Sequence, residues 1–381
     1  MKVSSVSCPD YNSEKVKNKV QKALSPLGGL DNFVDSGDTV LLKPNLLSPK
    51  PPKSGIITHP SIVKSLIELL QDKDIEVLVG ESSGGASDDE VGTITTRAFQ
   101  VSGLKEICQD AGVKLVNFDN TEYETVDNPG ETVENFPLPK TVLESDLVID
   151  LPKLKTHTLT MFTGAIKNLY GCVPGIKKRE FHSLYPNPDS FSEVVVDILG
   201  IIKPQLSIMD GVECLHGNGP GEMGQKYNLG TIMASSDPVA LDRVAEYYLG
   251  FAEGKVPVSR IAGERGIGES SLDNIEVIGD FKKPDKKLKT PNTGFLSFLP
   301  NRILKPISSA LDAKPKINAG KCELCGRCYN SCPQETIYKD EEKFRIEHDE
   351  CIKCLCCQEM CPEGAVEIEE HPIVRMINKI S

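Results

Sequence analysis

Cysteine is the residue type whose number and spacing carry the clearest chemistry in this chain of 381 residues. Nine of its thirteen cysteines fall in one stretch near the end of the chain. Eight of the nine form two runs with the spacing C-x2-C-x2-C-x3-C-P, and every cysteine of the second run follows its counterpart at the same offset. The first run is Cys322, Cys325, Cys328 and Cys332, and the second run is Cys351, Cys354, Cys357 and Cys361.

This doubled spacing predicts two [4Fe-4S] clusters. Three thiolates on a tight loop reach three irons of a cubane, and the fourth cysteine of each run binds the other cluster. Two zinc sites are the alternative, because four cysteines also bind zinc, although zinc sites usually use separated CxxC pairs. Cys356 falls outside the repeat and is predicted to be a thiol that does not bind iron. The predicted ligands are Cys322, Cys325, Cys328 and Cys361 for one cluster, and Cys351, Cys354, Cys357 and Cys332 for the other.

Residues 317–381, which contain both runs, resemble the bacterial two-cluster ferredoxins. The resemblance implies a small α+β unit with pseudo-two-fold symmetry, in which each half is a βαβ segment, and it implies one-electron transfer. Under this resemblance, two short helices fall at 334–337 and 363–366, and outer strands fall at 344–347 and 365–368.

Three groups of polar residues follow apolar stretches within residues 1–280. Lys43 and Asn45 are followed by His59, the glycine-rich stretch GESSGG contains Glu81 and Ser82, and the stretch from Lys153 to Asn168 contains three lysines and a histidine. Clustered lysines favour an anionic ligand, and histidine can act as a donor, a base or a metal ligand. The alternatives are a proline-led turn, a flexible glycine turn and a solvated basic patch. The candidate catalytic residues are Lys155, His157 and Lys167. The candidate cofactor-binding residues are Lys43, Asn45, His59, Glu81, Ser82, Lys153 and Asn168.

The elements that must position these residues alternate between strands and helices. Apolar runs predict strands at 38–47, 75–79, 147–151 and 206–209. Helical spacing predicts helices at 13–24, 61–70, 191–202 and 238–249, the last capped by Asp237. This order is typical of an α/β domain with a mainly parallel sheet and helices on both faces. Since ligands gather at the carboxyl ends of parallel strands, we expect Lys43, Lys155, His157 and Lys167 to share one pocket.

The composition divides the chain into three parts. Residues 1–280 form the predicted α/β domain, and residues 317–381 form the ferredoxin-like unit. Between them, residues 281–316 hold nine basic residues, two acidic residues and five prolines. This segment is predicted to be a solvated linker, and the alternative is a strap whose apolar residues pack on one of the domains or dock an acidic partner or a membrane surface.

The first part of the chain resembles the family known as domain of unknown function 362, which is often fused to a ferredoxin module. The stretches that carry the resemblance are VLLKPNLL, PKLKTHTLTMFTGAIKNLYG, SIMDGVECLHGNGP and ASSDPVALDRVA. The family brings no assigned reaction. The stretch KTH…TGxxKNLxG is also similar to the HxxxxSGGRK region of nickel-pincer lactate racemases, although it lacks the Gly-Gly-Arg.

The charge and the hydropathy of the chain argue against a nucleic-acid-binding protein and an integral membrane protein. A nucleic-acid binder needs a basic face, and the formal net charge of −12 argues against a nucleic-acid partner. No apolar run reaches the roughly 18 residues of a membrane span, so no integral membrane segment is expected. The first residues, MKVSSVSCPD, have no apolar signal region, so the expected location is cytoplasmic. The cytosol keeps thiols reduced, which argues against structural disulfides.

Together these observations predict an iron–sulfur electron-transfer protein of an anaerobic metabolism. Its α/β domain would bind a redox partner protein or an anionic small-molecule ligand. One alternative is an oxidoreductase that acts on an anionic substrate at the α/β domain. The other is a redox-sensing or binding module in which the clusters are structural. The sequence leaves the oligomeric state and any flavin open.

Overall fold

Alternating apolar stretches build a central sheet and the helices that cover it. The computed structural model describes residues 1–84, 92–128, 131–281, 283–291, 314–340 and 343–369. The strands of the described residues are β1 Lys2–Ser7, β2 Thr39–Pro44, β3 Glu76–Glu81, β4 Lys114–Asn117, β5 Tyr123–Asp127, β6 Asn135–Pro139, β7 Leu147–Leu151, β8 Lys153–His157, β9 Met161–Thr163, β10 Leu206–Gly217, β11 Gly224–Ser235, β12 Glu276–Gly279, β13 Lys314–Ile317, β14 Ile337–Asp340, β15 Lys343–Ile346 and β16 Val366–Glu369. The α-helices are α1 Ser13–Leu24, α2 Pro60–Leu70, α3 Thr93–Val101, α4 Leu104–Asp110, α5 Lys140–Glu144, α6 Ala165–Asn168, α7 Gly175–Leu184, α8 Pro188–Ile202, α9 Pro238–Leu249, α10 Pro257–Glu264, α11 Arg327–Asn330 and α12 Cys356–Met360.

Ten strands form one sheet in the order β12-β1-β11-β10-β7-β2-β3-β4, with β8 beside β10 and β9 beside β8. The strands from β10 through β7, β2 and β3 to β4 are parallel, whereas β11 is antiparallel to both of its neighbours. The sheet is therefore mainly parallel, as predicted.

Both faces of the sheet are buried. On β2, Val40 and Leu42 pack with α1, α2 and α4 on one face, whereas Leu41 packs with α8, α9 and α10 on the other. All three side chains are fully buried, because successive residues of a strand point to opposite faces. The α/β fold class, with helices on both faces, is confirmed.

The C-terminal domain has two short strand pairs, β13 with β16 and β14 with β15. The prediction of helices at 334–337 and 363–366 is wrong, because α11 and α12 lie within the cysteine loops instead. Glu335 and Gly364, which occupy equivalent positions in the two halves of the repeat, both have a left-handed backbone with φ of 54° and 58°. A left-handed residue interrupts a helix, so each stretch turns into a strand. Strand β13 begins at Lys314, inside the range predicted as linker.

The described start of the predicted linker packs against the large domain. The Lys289 carbonyl oxygen accepts a hydrogen bond from the Gly217 N–H, and the Lys289 N–H donates to Nδ1 of His216. Leu288 is buried. Residues 292–313, which contain the apolar residues of the alternative strap, lie outside the described residues. Among the helices that are described, none is long and apolar enough to cross a membrane.

One buried carboxylate fixes the start of α6, the helix that carries Lys167. Asp242 of α9 accepts hydrogen bonds from the backbone N–H groups of Ala165 and Ile166 at 2.5 and 2.9 Å. Asp242→Asn would turn an amide donor toward one of these donors and leave a buried N–H unpaired. We expect the free energy of unfolding to fall by about 1–3 kcal/mol, measured by chemical denaturation.

The exposed Asp273 offers a matched control. Asp273→Asn should change the free energy of unfolding by less than about 0.5 kcal/mol. Equal stability of the two variants would show that Asp242 does not hold α6.

Candidate functional site

A cavity lies between the large domain and the C-terminal domain, and we call it the interdomain pocket. Its empty volume is about 740 Å³, including space open to solvent. Its walls include seven of the ten residues predicted in the α/β domain. These seven are Asn45, Glu81, Ser82, Lys155, His157, Lys167 and Asn168.

Lys155 lies at the pocket wall and is fully buried. Its Nζ donates to Asn45 Oδ1 and to the carbonyl oxygen of Ile56, each at 2.7 Å. Burial lowers the pKa of Lys155 to about 7, and the charge of Lys167 adds to this effect. This lysine can therefore gain or lose a proton near neutral pH.

Two asparagines lock the wall of the pocket to the sheet. Asn45 Nδ2 donates to Asn168 Oδ1 at 2.9 Å, and Asn168 Nδ2 donates to Asp150 Oδ1 at 2.7 Å. Burial raises the pKa of Asp150 to about 8, although Lys43 opposes the shift. The chain of hydrogen bonds joins the ends of β2 and β7 to helix α6.

Lys43 lies beneath the pocket rather than in its wall. Its Nζ is 2.6 Å from Glu81 Oε2 and is fully buried. Burial raises the pKa of Glu81, against the effect of Lys43. A Cβ atom on Gly171 would clash with Glu81 Oε1 and Lys43 Nζ, so a side chain there would displace this ion pair. Lys43 therefore already has a counter-charge and is not free for a ligand.

Lys167 shares the pocket with Lys155. Its Nζ lies 5.9 Å from the ring centroids of both Tyr170 and Phe191. Burial lowers the pKa of Lys167. Within the part of the chain that the structure describes, neither Lys155 nor Lys167 forms an ion pair with a carboxylate. Two largely buried lysines without carboxylate partners favour an anion as their counter-charge.

His157 meets a carboxylate from the C-terminal domain. Its Nδ1 accepts from the backbone N–H groups of Leu159 and Thr160, so Nε2 carries the proton of the neutral ring. Nε2 lies 2.9 Å from Glu359 Oε1. The two atoms therefore contact each other across the domain boundary, although the angles miss hydrogen-bond geometry. Burial lowers the pKa of His157 to about 4.

Helix α7 contributes three pocket residues that the sequence analysis missed, Lys178, Arg179 and His182. Lys178 Nζ donates to the carbonyl and hydroxyl oxygens of Ser82, and burial lowers its pKa to about 8. The His182 ring stacks on Phe191 at 4.2 Å between centroids. The basic run KKREFH at 177–182 was the signal that could have found them.

Three pocket-lining residues each keep a buried polar atom without a hydrogen-bond partner among the described residues. These atoms are Thr163 Oγ1, Arg179 Nε and His182 Nδ1. Buried polar groups are normally paired, because an unpaired one costs about 1–3 kcal/mol. These three atoms are therefore available to a polar ligand in the cavity.

Two predicted residues, His59 and Lys153, lie elsewhere. The His59 ring stacks on Tyr11 at 3.7 Å, and Lys153 Nζ lies 2.8 Å from Asp210 Oδ2 and 2.7 Å from Tyr11 Oη. The His59 backbone N–H also donates to Asp210. These side chains satisfy one another, and the structure does not bring them to the pocket.

The structure gathers the cysteines into two groups that cross between the runs. The outer set, Cys322, Cys325, Cys328 and Cys361, lines one small cavity. Burial raises the pKa of the Cys328 thiol to about 11, and the other three thiols of the set add to this effect.

The pocket-side set is Cys332, Cys351, Cys354 and Cys357. Burial raises the pKa of the Cys357 thiol, and the other three thiols of the set contribute. In a cubane each thiolate binds a different iron, so the two groups suit [4Fe-4S] ligation.

The pocket-side set is joined to the interdomain pocket. Arg179 Nη2 donates to the carbonyl oxygen of Cys332 at 3.0 Å, and Ser331 and Cys356 line the cavity. Thr158 Oγ1 contacts Gln358 Oε1 at 2.9 Å, and Lys50 Nζ donates to the Pro362 carbonyl. The wall of the pocket is therefore the surface on which the two domains meet.

Two family descriptions match the chain. "Domain of unknown function (DUF362)" matches residues 40–246, and "4Fe-4S dicluster domain" matches residues 314–362. A thylakoid-associated protein of Synechocystis is 32% identical over 272 residues, which is 71% of this chain and 81% of that protein.

Shorter matches concern the iron–sulfur part. The pyruvate synthase subunit PorD of Methanocaldococcus jannaschii is 39% identical over 54 residues, 14% of this chain and 63% of the subunit. The electron transport protein HydN of Escherichia coli is 28% identical over 112 residues, 29% of this chain and 58% of HydN. These relatives support an iron–sulfur electron-transfer role for the C-terminal domain.

A solved structure offers a weaker likeness. The lactate racemase apoprotein of Thermoanaerobacterium thermosaccharolyticum has a TM-score of 0.40 and 13% identity, over 65% of this chain and 57% of that chain. This value is too low to carry an argument about the site.

Cys356→Ala should leave the iron content unchanged at about eight iron and eight sulfide per chain, because the two sets supply eight thiolates without it. Iron and sulfide analysis of anaerobically purified protein measures this. Cys357→Ala is the matched variant and should lose iron. Loss of iron in Cys356→Ala would make Cys356 a ligand, and zinc without sulfide would overturn the iron–sulfur assignment.

Cys361→Ser should damage the cluster of the outer set and spare the other, because Cys361 lines the cavity of Cys322, Cys325 and Cys328. EPR spectra of the reduced variant, with about four iron per chain, would show one remaining cluster. If the remaining signal came from the outer set, the crossed assignment would be wrong.

Proposed function

The chain belongs to the DUF362 family and carries a 4Fe-4S dicluster domain, and from this premise we propose that it exchanges electrons with a small anionic compound bound in the interdomain pocket. The observation that carries the proposal is the composition of the two walls. One wall holds Lys155 and Lys167, which form no ion pair among the described residues, and the other holds Cys356 beside the pocket-side set. A bound anion would lie next to the site where electrons arrive.

The exposure of the cysteines supports a point of contact between the redox partner protein and the clusters. Cys325 of the outer set is exposed, whereas Cys332, Cys354 and Cys357 of the pocket-side set are buried. Electrons from a redox partner protein would enter near Cys325 and leave toward the pocket. In reverse, the bound compound would be the donor and the partner protein the acceptor.

The pocket also holds groups that can move protons. Each cluster carries one electron at a time, so a two-electron reduction of the bound compound needs two electrons from the partner protein and two protons. His157 carries a proton on Nε2, and burial brings the pKa of Lys155 to about 7. Either side chain can pass a proton to the bound compound and regain one from solvent.

The position of the interdomain pocket favours this proposal over a role in redox sensing. A module with structural clusters needs no ligand cavity at its domain contact. Here Thr163, Arg179 and His182 keep buried polar atoms, unpaired among the described residues, around a cavity beside the pocket-side set. This arrangement favours a bound redox substrate over a distant docking surface.

Lys167→Gln should weaken binding of inorganic phosphate at least tenfold, because it removes a largely buried cation that has no carboxylate partner among the described residues. Tenfold corresponds to about 1.4 kcal/mol, below the roughly 1.5–3 kcal/mol of a hydrogen bond to a charged group. Isothermal titration calorimetry of the oxidised, cluster-loaded protein measures the affinity.

Lys114→Gln is the control, since Lys114 is exposed on the edge strand β4. It should bind phosphate as the unchanged protein does. The same weakening in both variants would place phosphate on the surface, and failure of phosphate, sulfate and malonate to bind the unchanged protein would contradict the anion pocket.

A further inference from the structure

We propose that Arg179 couples occupation of the interdomain pocket to the electron affinity of the cluster at the pocket-side set. The inference rests on the proposed anion pocket and adds a positioning residue that links the bound compound to a cluster ligand. No bond forms or breaks at Arg179 itself. Its role is electrostatic and geometric.

The guanidinium touches both sides of the domain contact. Its Nη2 donates to the Cys332 carbonyl at 3.0 Å, while its Nε is buried, has no hydrogen-bond partner among the described residues and belongs to a pocket-lining side chain. Guanidinium presents donors along two edges of a rigid plane. Nη2 therefore holds the loop of a cluster ligand, and the Nε–H is left for an anion.

Neighbouring contacts keep the guanidinium in this place. Ser183, one turn after Arg179 on α7, contacts the side chain of Gln334, which follows Cys332 in the same loop. Lys178, the preceding residue, is held by Ser82 on the opposite side. Helix α7 is thus fixed at both the large domain and the cysteine loop, and Arg179 has little freedom to move away from Cys332.

The electrostatic consequence has a definite sign. A cation beside the pocket-side set favours the added electron, because opposite charges attract strongly where water is excluded. An anion bound at the Nε–H of Arg179 offsets that cation and lowers the reduction potential. By linkage, reduction must weaken anion binding by the same factor. A reduced cluster would then hold the anion less tightly, which assists release of the product when the bound compound is the electron donor.

Calorimetry on the oxidised and the photoreduced protein tests this coupling, with inorganic phosphate as the probe and chloride at equal ionic strength as the baseline. We expect phosphate to bind about tenfold more weakly to the reduced protein, in the range of roughly 5–150-fold typical of coupled sites. Tenfold corresponds to about 59 mV for a one-electron couple. An EPR-monitored redox titration with saturating phosphate should show this shift at one cluster only.

Arg179→Gln should reduce the affinity ratio between the two redox states to less than about threefold. Arg345→Gln is the control, because Arg345 is half-exposed in the same domain and paired with Asp340. It should keep the full ratio. If Arg179→Gln fails to load its clusters, Arg179→Lys replaces it. That variant keeps the charge but cannot hold both partners with one planar group, so its ratio should also fall.

The outcomes separate the two proposals. If phosphate, sulfate and malonate all fail to bind, the anion pocket is wrong and the coupling falls with it. If phosphate binds equally to both redox states, the pocket stands and the coupling is wrong. If the ratio exists but survives in Arg179→Gln, the coupling does not pass through Arg179. A shift of both clusters alike would indicate ionic screening and would also overturn the inference.

Discussion

The contact between Glu359 and the buried basic groups of the large domain is the constraint on which the site depends. Burial alone would raise the pKa of this carboxyl, but His157, Lys167 and His182 lower it to about 2. Glu359 lies on α12 between Cys357 and Cys361, which belong to different cysteine sets. The residue that offsets the charge of the pocket is therefore held by the same short helix that positions ligands of both sets.

The pocket is formed by residues of both domains, so it exists only where the two domains meet. Lys155 and Lys167 line this pocket together with Glu359 of the C-terminal domain, and burial lowers the pKa of both lysines. The C-terminal domain thus adds one carboxylate to a wall that holds several basic side chains. Arg179 and Thr158 of the large domain add hydrogen bonds to Cys332 and Gln358. The resulting cavity belongs to neither domain alone.

The sequence predicted what depends on local pattern. Strand Leu147–Leu151 and helix Pro238–Leu249 fall where the apolar pattern placed them, because both are buried runs with clear ends. The doubled cysteine spacing predicted a 4Fe-4S domain, which the family match supports, and the division of the eight cysteines between two clusters stays a prediction. Contacts between residues far apart in the sequence were not predicted. No local signal shows that Lys153 contacts Asp210 and Tyr11, whereas Lys155 contacts Asn45.

Other residues were missed for a related reason. Helix α7 has mixed polarity, and the sequence alone does not show which of its basic residues face the pocket. The helices of the C-terminal domain were predicted in the wrong place because their positions came from the resemblance to ferredoxins. The residues with a left-handed backbone determine where these helices can form. Leu324 and Lys353, and again Gly326 and Leu355, share positive φ at equivalent positions of the two halves.

That shared geometry explains how one repeat can serve two purposes. The loop conformation is the same in both halves, yet only the second half places α12 against the large domain, with all five of its residues buried. The first half carries the exposed Cys325 instead. Equal backbone and unequal surroundings give the two cysteine sets different access to solvent, and solvent exposure is one of the factors that set cluster potentials. The difference in exposure between the two cysteine sets therefore comes from domain packing and not from the cysteine motifs themselves.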